Sequence, residues 1–499
     1  MHARFLLAAA ALAILTPGPA PAQEGPAARY AEHCAACHGG DRLGAIGPAL
    51  LPENLGRMKL ADTVRLIAQG RPATQMPGFA DRLSEAEITD LAAHVLAPPA
   101  QEPSWSDADM AASHVVHTRP SALAVRPVHT ADPLNLFTVV EAGDHHVTIL
   151  DGDRFEPLAR FPSRFALHGG VKYSPDGRFA YFASRDGWVS VYDLYGLAQV
   201  AEIRAGINTR NIAVSADGRF VAVGNTLPRT LVLLDARDLT PLRTIPVVTP
   251  RGGARVSAVY AAPPRQSFIL ALKDVPEIWE IATGTAADGK EPFAVRRIEL
   301  DEPLDDFFFD PPYANLIGAS RDGGKGQVVD LTAGRKIAEV ELPGMPHLGS
   351  GISWMLDGRR VMATPHLKGA AVSVIDMTDW RTVKRIDTLG PGFFMRSHET
   401  TPYAWTDASL SPRRDTIEIL DKRTLEIVRT LTPWPGKTAS HVEFTRDGRH
   451  ALVSVWEDDG ALVVYDTASF EEVKRLPMRK PVGKYNVFNK IRYSEGTSH

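Results

Sequence analysis

The chain carries only two cysteines in 499 residues, which excludes a fold stapled by several disulfides. Long apolar runs are missing as well. The run over residues 5–15 falls short of the roughly 20 residues a membrane-spanning helix needs, and no later run exceeds it. Nor is there an excess of one charge: 55 lysines and arginines against 59 aspartates and glutamates leave a net charge of −4. That balance points to neither nucleic acid nor an anionic membrane as partner. The length exceeds that of one ordinary compact domain and predicts a small domain joined to a larger, repetitive one.

Both cysteines fall in Cys34-Ala35-Ala36-Cys37-His38. In a Cys-x-x-Cys-His run two thiols add across the vinyl groups of one heme and the adjacent histidine takes its iron. A disulfide or half a zinc site would use the same cysteines, but neither explains a histidine directly after the second one. Export fits this chemistry, because c-type heme is attached outside the cytoplasm. His2 and Arg4, the apolar run after them, and Ala20-Pro21-Ala22 read as a signal peptide over residues 1–22. The mature chain is therefore expected from Gln23, in the periplasm and without a membrane span.

Residues 23–99 read as a small all-α domain. Helical periodicity runs over 27–34, 61–69 and 84–96, and Ser84 with Glu87 forms a capping box. The loop at 70–79 carries Met76 before Pro77, with Met58 as a competitor. That loop resembles the distal-ligand loop of class I cytochromes c, which makes Met76 the sixth ligand opposite His38. A His/Met pair raises the reduction potential and suits an electron carrier.

Pro-rich residues 97–103 open a connector assigned to 100–113. From 114 to 499 the pattern becomes short strands around Asp-Gly-Arg turns at 176–178, 217–219, 357–359 and 447–449, each followed by a strand ending in Asp. Fainter copies begin near Asp132, Tyr260, Phe307 and Glu399. The spacing of about 40–47 residues is that of a four-stranded blade, so the expectation is an eight-bladed β-propeller rather than a solenoid. Its closure is expected to pair 486–493 with the stretch near Val115.

Three histidines sit where a strand meets a loop: His168, His347 and His441. Alone, each reads as a surface or core residue. Arg185, Arg210, Arg255 and Arg396 lie at comparable places in four blades; singly they read as solvated turn residues, together they could fork onto the carboxylates of one ligand.

A cytochrome c domain before such a propeller resembles the cytochrome cd1 nitrite reductases and their relatives. The likeness rests on Leu167-His168-Gly169, Ser184-Arg185-Asp186-Gly187, Ala363-Thr364-Pro365-His366 and the stretch from Pro481 to Asn489. It implies a noncovalent heme d1 type tetrapyrrole with His168 as proximal iron ligand and Arg185, Arg210 and Arg255 on its carboxylates. Three departures stand out. His347 matches one of the two distal histidines that deliver protons to nitrite, but the other falls at Phe309. The tyrosine-bearing turn reads Gly224-Asn225-Thr226-Leu227-Pro228, without the phenol, and His441 stands where the reductases lack histidine. The chain is similar instead to the dihydro-heme d1 dehydrogenase branch, which oxidises a propionate side chain of the precursor to an acrylate. That likeness implies electron exit through the covalent heme c to an acceptor such as a soluble cytochrome c. It also implies His441, His347 and Tyr485 as ligand and proton-handling groups, and a nitrite reductase as recipient of the finished cofactor. A nitrite reductase with altered proton delivery and a noncatalytic heme d1 carrier are the competing readings.

Overall fold

The computed structural model describes residues 25–45, 47–56, 58–71, 76–167, 170–284, 291–320 and 323–492. The expected signal peptide and His168 lie outside the described residues. The N-terminal part is helical, with Pro26–His33, Ala35–His38, Pro52–Leu55, Leu60–Gln69 and Glu85–Leu96. The Ser84 hydroxyl accepts from the Glu87 amide, and the Glu87 carboxylate accepts from the Ser84 amide at 2.9 Å, the reciprocal box the spacing predicts. Ile88, Leu91, Ala92 and Val95 of that helix close on Tyr30 and Ile67. Each large aliphatic side chain buried there contributes roughly 1.5–3 kcal/mol.

Beyond residue 130 the described residues form eight antiparallel sheets arranged as propeller blades, and a two-stranded ribbon of Val248–Thr249 and Gly252–Gly253. In blade 1 the inner strand is Pro481–Asn486, followed outward by Leu136–Glu141, His146–Asp151 and Glu156–Pro162. Both ends of the propeller thus close the ring, but not through the pair expected. Tyr485 lies opposite Thr138 and Lys484 opposite Val139, whereas Val115–Val116 joins the outer edge of blade 2 opposite Glu202 and Ala201. The reason is burial. Val115 and Val116 are each 41% exposed and lack a buried face to hold an inner position, while Gly483, Lys484 and Asn486 are buried. Residues expected to continue the closing strand form the helix Val487–Ile491 instead.

The inner strands of blades 2 to 8 are Lys172–Tyr173, Asn208–Val214, Val256–Ala262, Asp306–Phe309, Ile352–Leu356, Met395–Ser397 and Ala439–Phe444. Neighbouring blades share apolar layers; Phe137, Val139 and Leu150 of blade 1 pack on Leu452, Leu462 and Val464 of blade 8 and seal the ring. The repeated turn has a structural cause. Gly177 and Gly448 take φ of +75° and +71°, a region that favours glycine. In two copies the turn arginine reaches back to the aspartate ending the third strand: Arg178 Nε to Asp193 Oδ1 at 2.9 Å, Arg359 Nε to Asp376 Oδ2 at 2.6 Å.

The segment read as a connector is half helical. Asp107–Ser113 is capped reciprocally by Ser106 and Asp109, buries Met110 against blades 2 and 3, and is tied to blade 3 by Thr244 Oγ1 on Asp107 at 2.6 Å. The helical domain rests on the propeller face where chain enters the inner strands. Ala49 and Leu51 pack on Ile207 and Leu227, Asn54 Nδ2 donates to Ile207 O at 3.5 Å, and buried Arg204 donates to Leu43 O. The turn read as a missing phenol at 224–228 therefore has a docking role through Leu227.

Candidate functional site

In the helical domain, His38 is buried and its Nδ1 lies 2.8 Å from Pro48 O. A carbonyl only accepts, so Nδ1 carries the proton and the Nε2 lone pair is left for a metal. A side chain at Gly47 would put its Cβ 2.9 Å from the His38 ring, so glycine there preserves the ring's position. Cys34 and Cys37 are both free. Burial pushes the Cys34 thiol up to about 11, which disfavours the thiolate a zinc site needs. Met76 packs on the cluster containing Ile67 and Phe79, whereas Met58 lies outside it. These residues fit a covalent heme.

On the propeller axis, polar side chains from successive inner strands converge. His441 sits in a bulge between Ser440 and Val442 with φ of +51°, a left-handed conformation that only a well-determined surrounding holds in a non-glycine residue. Asp407 supplies that surrounding: its carboxylate accepts from Ser440 Oγ at 2.8 Å, His441 N at 3.5 Å and Phe393 N at 2.7 Å. Lys484, fully buried, donates to His441 O and to Ser454 Oγ, and its Nζ is 3.5 Å from His441 Nδ1. Rings then form a row. His347 lies 5.9 Å from Phe394, Phe394 4.7 Å from His441, and His441 5.0 Å from Tyr485, between centroids.

The three predicted proton-handling residues are thus brought together, in states set by burial. Burial, then the charges of Lys484 and Arg396, holds His441 well below the ordinary imidazole value. Burial likewise lowers His347. Its Nδ1 sits 2.6 Å from Phe393 O, so Nε2 keeps a lone pair. Tyr485 is pushed by burial up to about 12, so its phenol stays protonated.

The four arginines are not equivalent. Arg396 is buried against Glu443, Nη2 to Oε2 3.3 Å, within the central group. Arg210 lies on the inner strand of blade 3 and donates to Ser257 O at 2.6 Å. Arg185 lies on the blade 2 loop between second and third strands. Arg255 is engaged at the rim by Asp274, Nη2 to Oδ1 2.5 Å, with Glu53 of the helical domain adding a smaller attraction.

Other members went unread in the sequence. Lys172 and Lys490 join Arg396 and Lys484 around Glu443 and Asp306; burial brings Lys172 down to about 8, with Arg396 lowering it further and Asp306 opposing. Lys490 Nζ stands 5.4 Å over the Tyr485 ring. Burial also holds Lys484 and Lys490 well below the ordinary lysine value, so the Arg396 guanidinium and Lys172 are the cations best suited to a ligand bearing carboxylates. Phe309 is not part of this group. It packs in the layer between blades with Phe307, Tyr313 and Leu316, and the residue of that strand facing the site is Asp306, which accepts from Tyr260 Oη at 2.9 Å and Gly349 N at 2.7 Å. His366 is buried away from this row, its Nε2 2.8 Å from Ser373 Oγ. Among the described residues no cluster of three or more His, Cys, Asp or Glu forms a metal cage.

Two family models match the chain: the cytochrome D1 heme domain over residues 131–490, and cytochrome C oxidase, cbb3-type, subunit III over residues 21–95. The dihydro-heme d1 dehydrogenase of Pseudomonas aeruginosa is 59% identical over 98% of this chain and 99% of its own length. A nitrite reductase of Stutzerimonas stutzeri is 25% identical over 92% of this chain and 91% of its own. The solved structure of dihydro-heme d1 dehydrogenase NirN in complex with DHE superimposes with a TM-score of 0.91 at 58% identity, covering 94% of this chain and 100% of that one. A cytochrome c domain followed by an eight-bladed cytochrome d1 heme-domain propeller, the chain belongs to the dihydro-heme d1 dehydrogenase family.

Proposed function

We propose that this protein binds dihydro-heme d1 in the propeller and dehydrogenates one of its propionate side chains to the acrylate, in the periplasm. The observation that carries this reading is the seating of the cytochrome domain on the face where His347, His441 and Tyr485 converge. A carrier needs no electron exit there. Removing hydrogen from two adjacent carbons releases two electrons and two protons. The covalent heme on Cys34, Cys37 and His38, with Met76 as its sixth ligand, supplies a one-electron route to a soluble acceptor such as a cytochrome c.

The chain's own residues handle the rest. His168 and His441 would hold the substrate iron. Arg185, Arg210 and Arg396 orient the carboxylates, and Lys172 adds charge; Arg255, engaged at the rim, acts on the margin of the ligand. His347, neutral and with Nε2 open, takes a proton from the side-chain carbons, while the protonated Tyr485 phenol relays rather than abstracts. The product is then handed to a nitrite reductase.

The test is to incubate the protein anaerobically with dihydro-heme d1 and an excess of a one-electron acceptor and analyse the extracted tetrapyrrole by mass. Loss of two hydrogens supports the reading. Release of unchanged precursor points to a carrier, and nitric oxide from nitrite at an enzymatic rate points to a nitrite reductase.

A further inference from the structure

The electrons of the proposed reaction have a visible exit, but its two protons need one too, and the cytochrome domain covers part of the entrance face. A cleft of about 260 Å³ lies between blades 1 and 2, with Ser190, Gln199 and Glu202 among its polar lining. A second space of about 30 Å³ lies against Tyr485, Gly170 and Gly483. Leu167 and Phe182 border both. The smaller space exceeds the ~10–15 Å³ that one water requires. Two glycines keep it open: a Cβ on Gly483 would stand 2.6 Å from the Tyr485 hydroxyl, and one on Gly170 3.3 Å from its ring.

Outward from there, one row of blade 2 side chains leads to solvent. Phe182 is the register partner of Ser190, and Ser190 of Glu202, so the three share one face of the sheet. Glu202 accepts from Arg164 Nε at 3.0 Å and Gln199 Nε2 at 3.3 Å. His117 Nε2 lies 3.5 Å from Glu202 Oε1 and is 37% exposed at the outer wall.

We propose that this interblade passage is the proton exit, carrying protons by water from the Tyr485 hydroxyl past Phe182 and Ser190 to Glu202 and His117. The idea rests on the dehydrogenase reading. Two C–H bonds of the side chain break and a C=C bond forms; two electrons pass singly, by way of the covalent heme, to an external one-electron acceptor protein, and two protons leave sideways to bulk water. Charges of opposite sign thus part by different routes.

The test compares wild type, Ser190→Phe, which plugs the passage, and Glu202→Gln, which removes the carboxylate at its mouth. Each holoprotein is mixed anaerobically with dihydro-heme d1, oxidised acceptor and a pH-indicator dye. In wild type, protons should appear as fast as acceptor is reduced. S190F should slow both by roughly tenfold or more while leaving the bound-precursor spectrum unchanged, and E202Q should make proton release lag. Should S190F not fold, Gln199→Phe at the mouth carries the same expectation. Crystal structures of the precursor-free proteins give a readout independent of turnover: ordered water between Tyr485 and Glu202 in wild type, displaced in S190F. A dry passage, or equal kinetics in folded plugged variants, overturns the proposal alone. Wild type that binds the precursor without oxidising it overturns the dehydrogenase reading as well.

Discussion

Arg204 joins the two domains, and its replacement by alanine has a consequence that can be worked out. Its side chain is buried; Nη2 donates to Leu43 O in the cytochrome domain, Nε donates to Asp186 O at 2.9 Å, and the guanidinium lies 4.7 Å from the Trp105 ring. The bond to Leu43 is charge-assisted, roughly 1.5–3 kcal/mol, and the cation–π contact adds about 0.5–2 kcal/mol. The apolar contacts of Ala49 and Leu51 with Ile207 and Leu227 survive the substitution. Docking should therefore weaken by about 2–5 kcal/mol, raising the undocked fraction about thirty- to several-thousand-fold. Anaerobic stopped-flow reduction of the covalent heme by bound precursor is the assay. R204A should slow it roughly tenfold or more with the heme absorption unchanged, and Trp105→Phe should have a smaller effect. Reduction as fast as wild type in R204A would refute the idea that domain docking sets the electron route.

Three further outcomes follow from the buried groups. Burial raises the Asp186 carboxyl to about 6, above its unfolded value, so the folded state holds that proton more tightly and stability falls as pH rises from about 4 to 6; Asp186→Asn should stabilise by up to about 3 kcal/mol above that window and little below it, read by thermal unfolding. His441 and His347 are both held below 6.5, hence already neutral near that pH, and the turnover rate should show no acid limb centred there; a fall centred on the ordinary imidazole value would contradict the assigned base. Asp407→Ala leaves the Phe393 and His441 amides and the Ser440 hydroxyl without their acceptor, each about 1–3 kcal/mol, and should change the absorption spectrum of bound precursor, while Asp407→Asn should restore much of it.

The blade count was legible because four blades repeat an Asp-Gly-Arg turn whose glycine takes positive φ, as at Gly177 beside the Arg178–Asp193 pair, and the spacing of those copies places the fainter ones. The heme motif was legible because Cys34, Cys37 and His38 fall within five successive positions. Closure was not: a strand's partner depends on which surface it can bury, and exposed Val115 reads locally like any other strand valine. That Phe309 packs between blades while Asp306 faces the site was hidden for a related reason, since side chains alternate faces along a strand and the two lie an odd number of residues apart. The central group of Lys172, Asp306, Arg396, Glu443, Lys484 and Lys490 comes from five inner strands and the C-terminal helix Val487–Ile491 and carries no local signal, apart from Lys484 within the stretch Pro481 to Asn489. The helix Asp107–Ser113 did have one, Ser106 three residues before Asp109.

Electron stoichiometry tests the central claim most directly. Each chain holds one Cys-x-x-Cys-His motif, and each precursor oxidised gives up two electrons. Mixed anaerobically with oxidised protein and no other acceptor, precursor should reduce the covalent heme fully while at most one precursor is converted for every two chains, and added acceptor should complete the conversion. Conversion without reduction of the covalent heme, or a fully oxidised heme beside bound, unchanged precursor, would contradict the account.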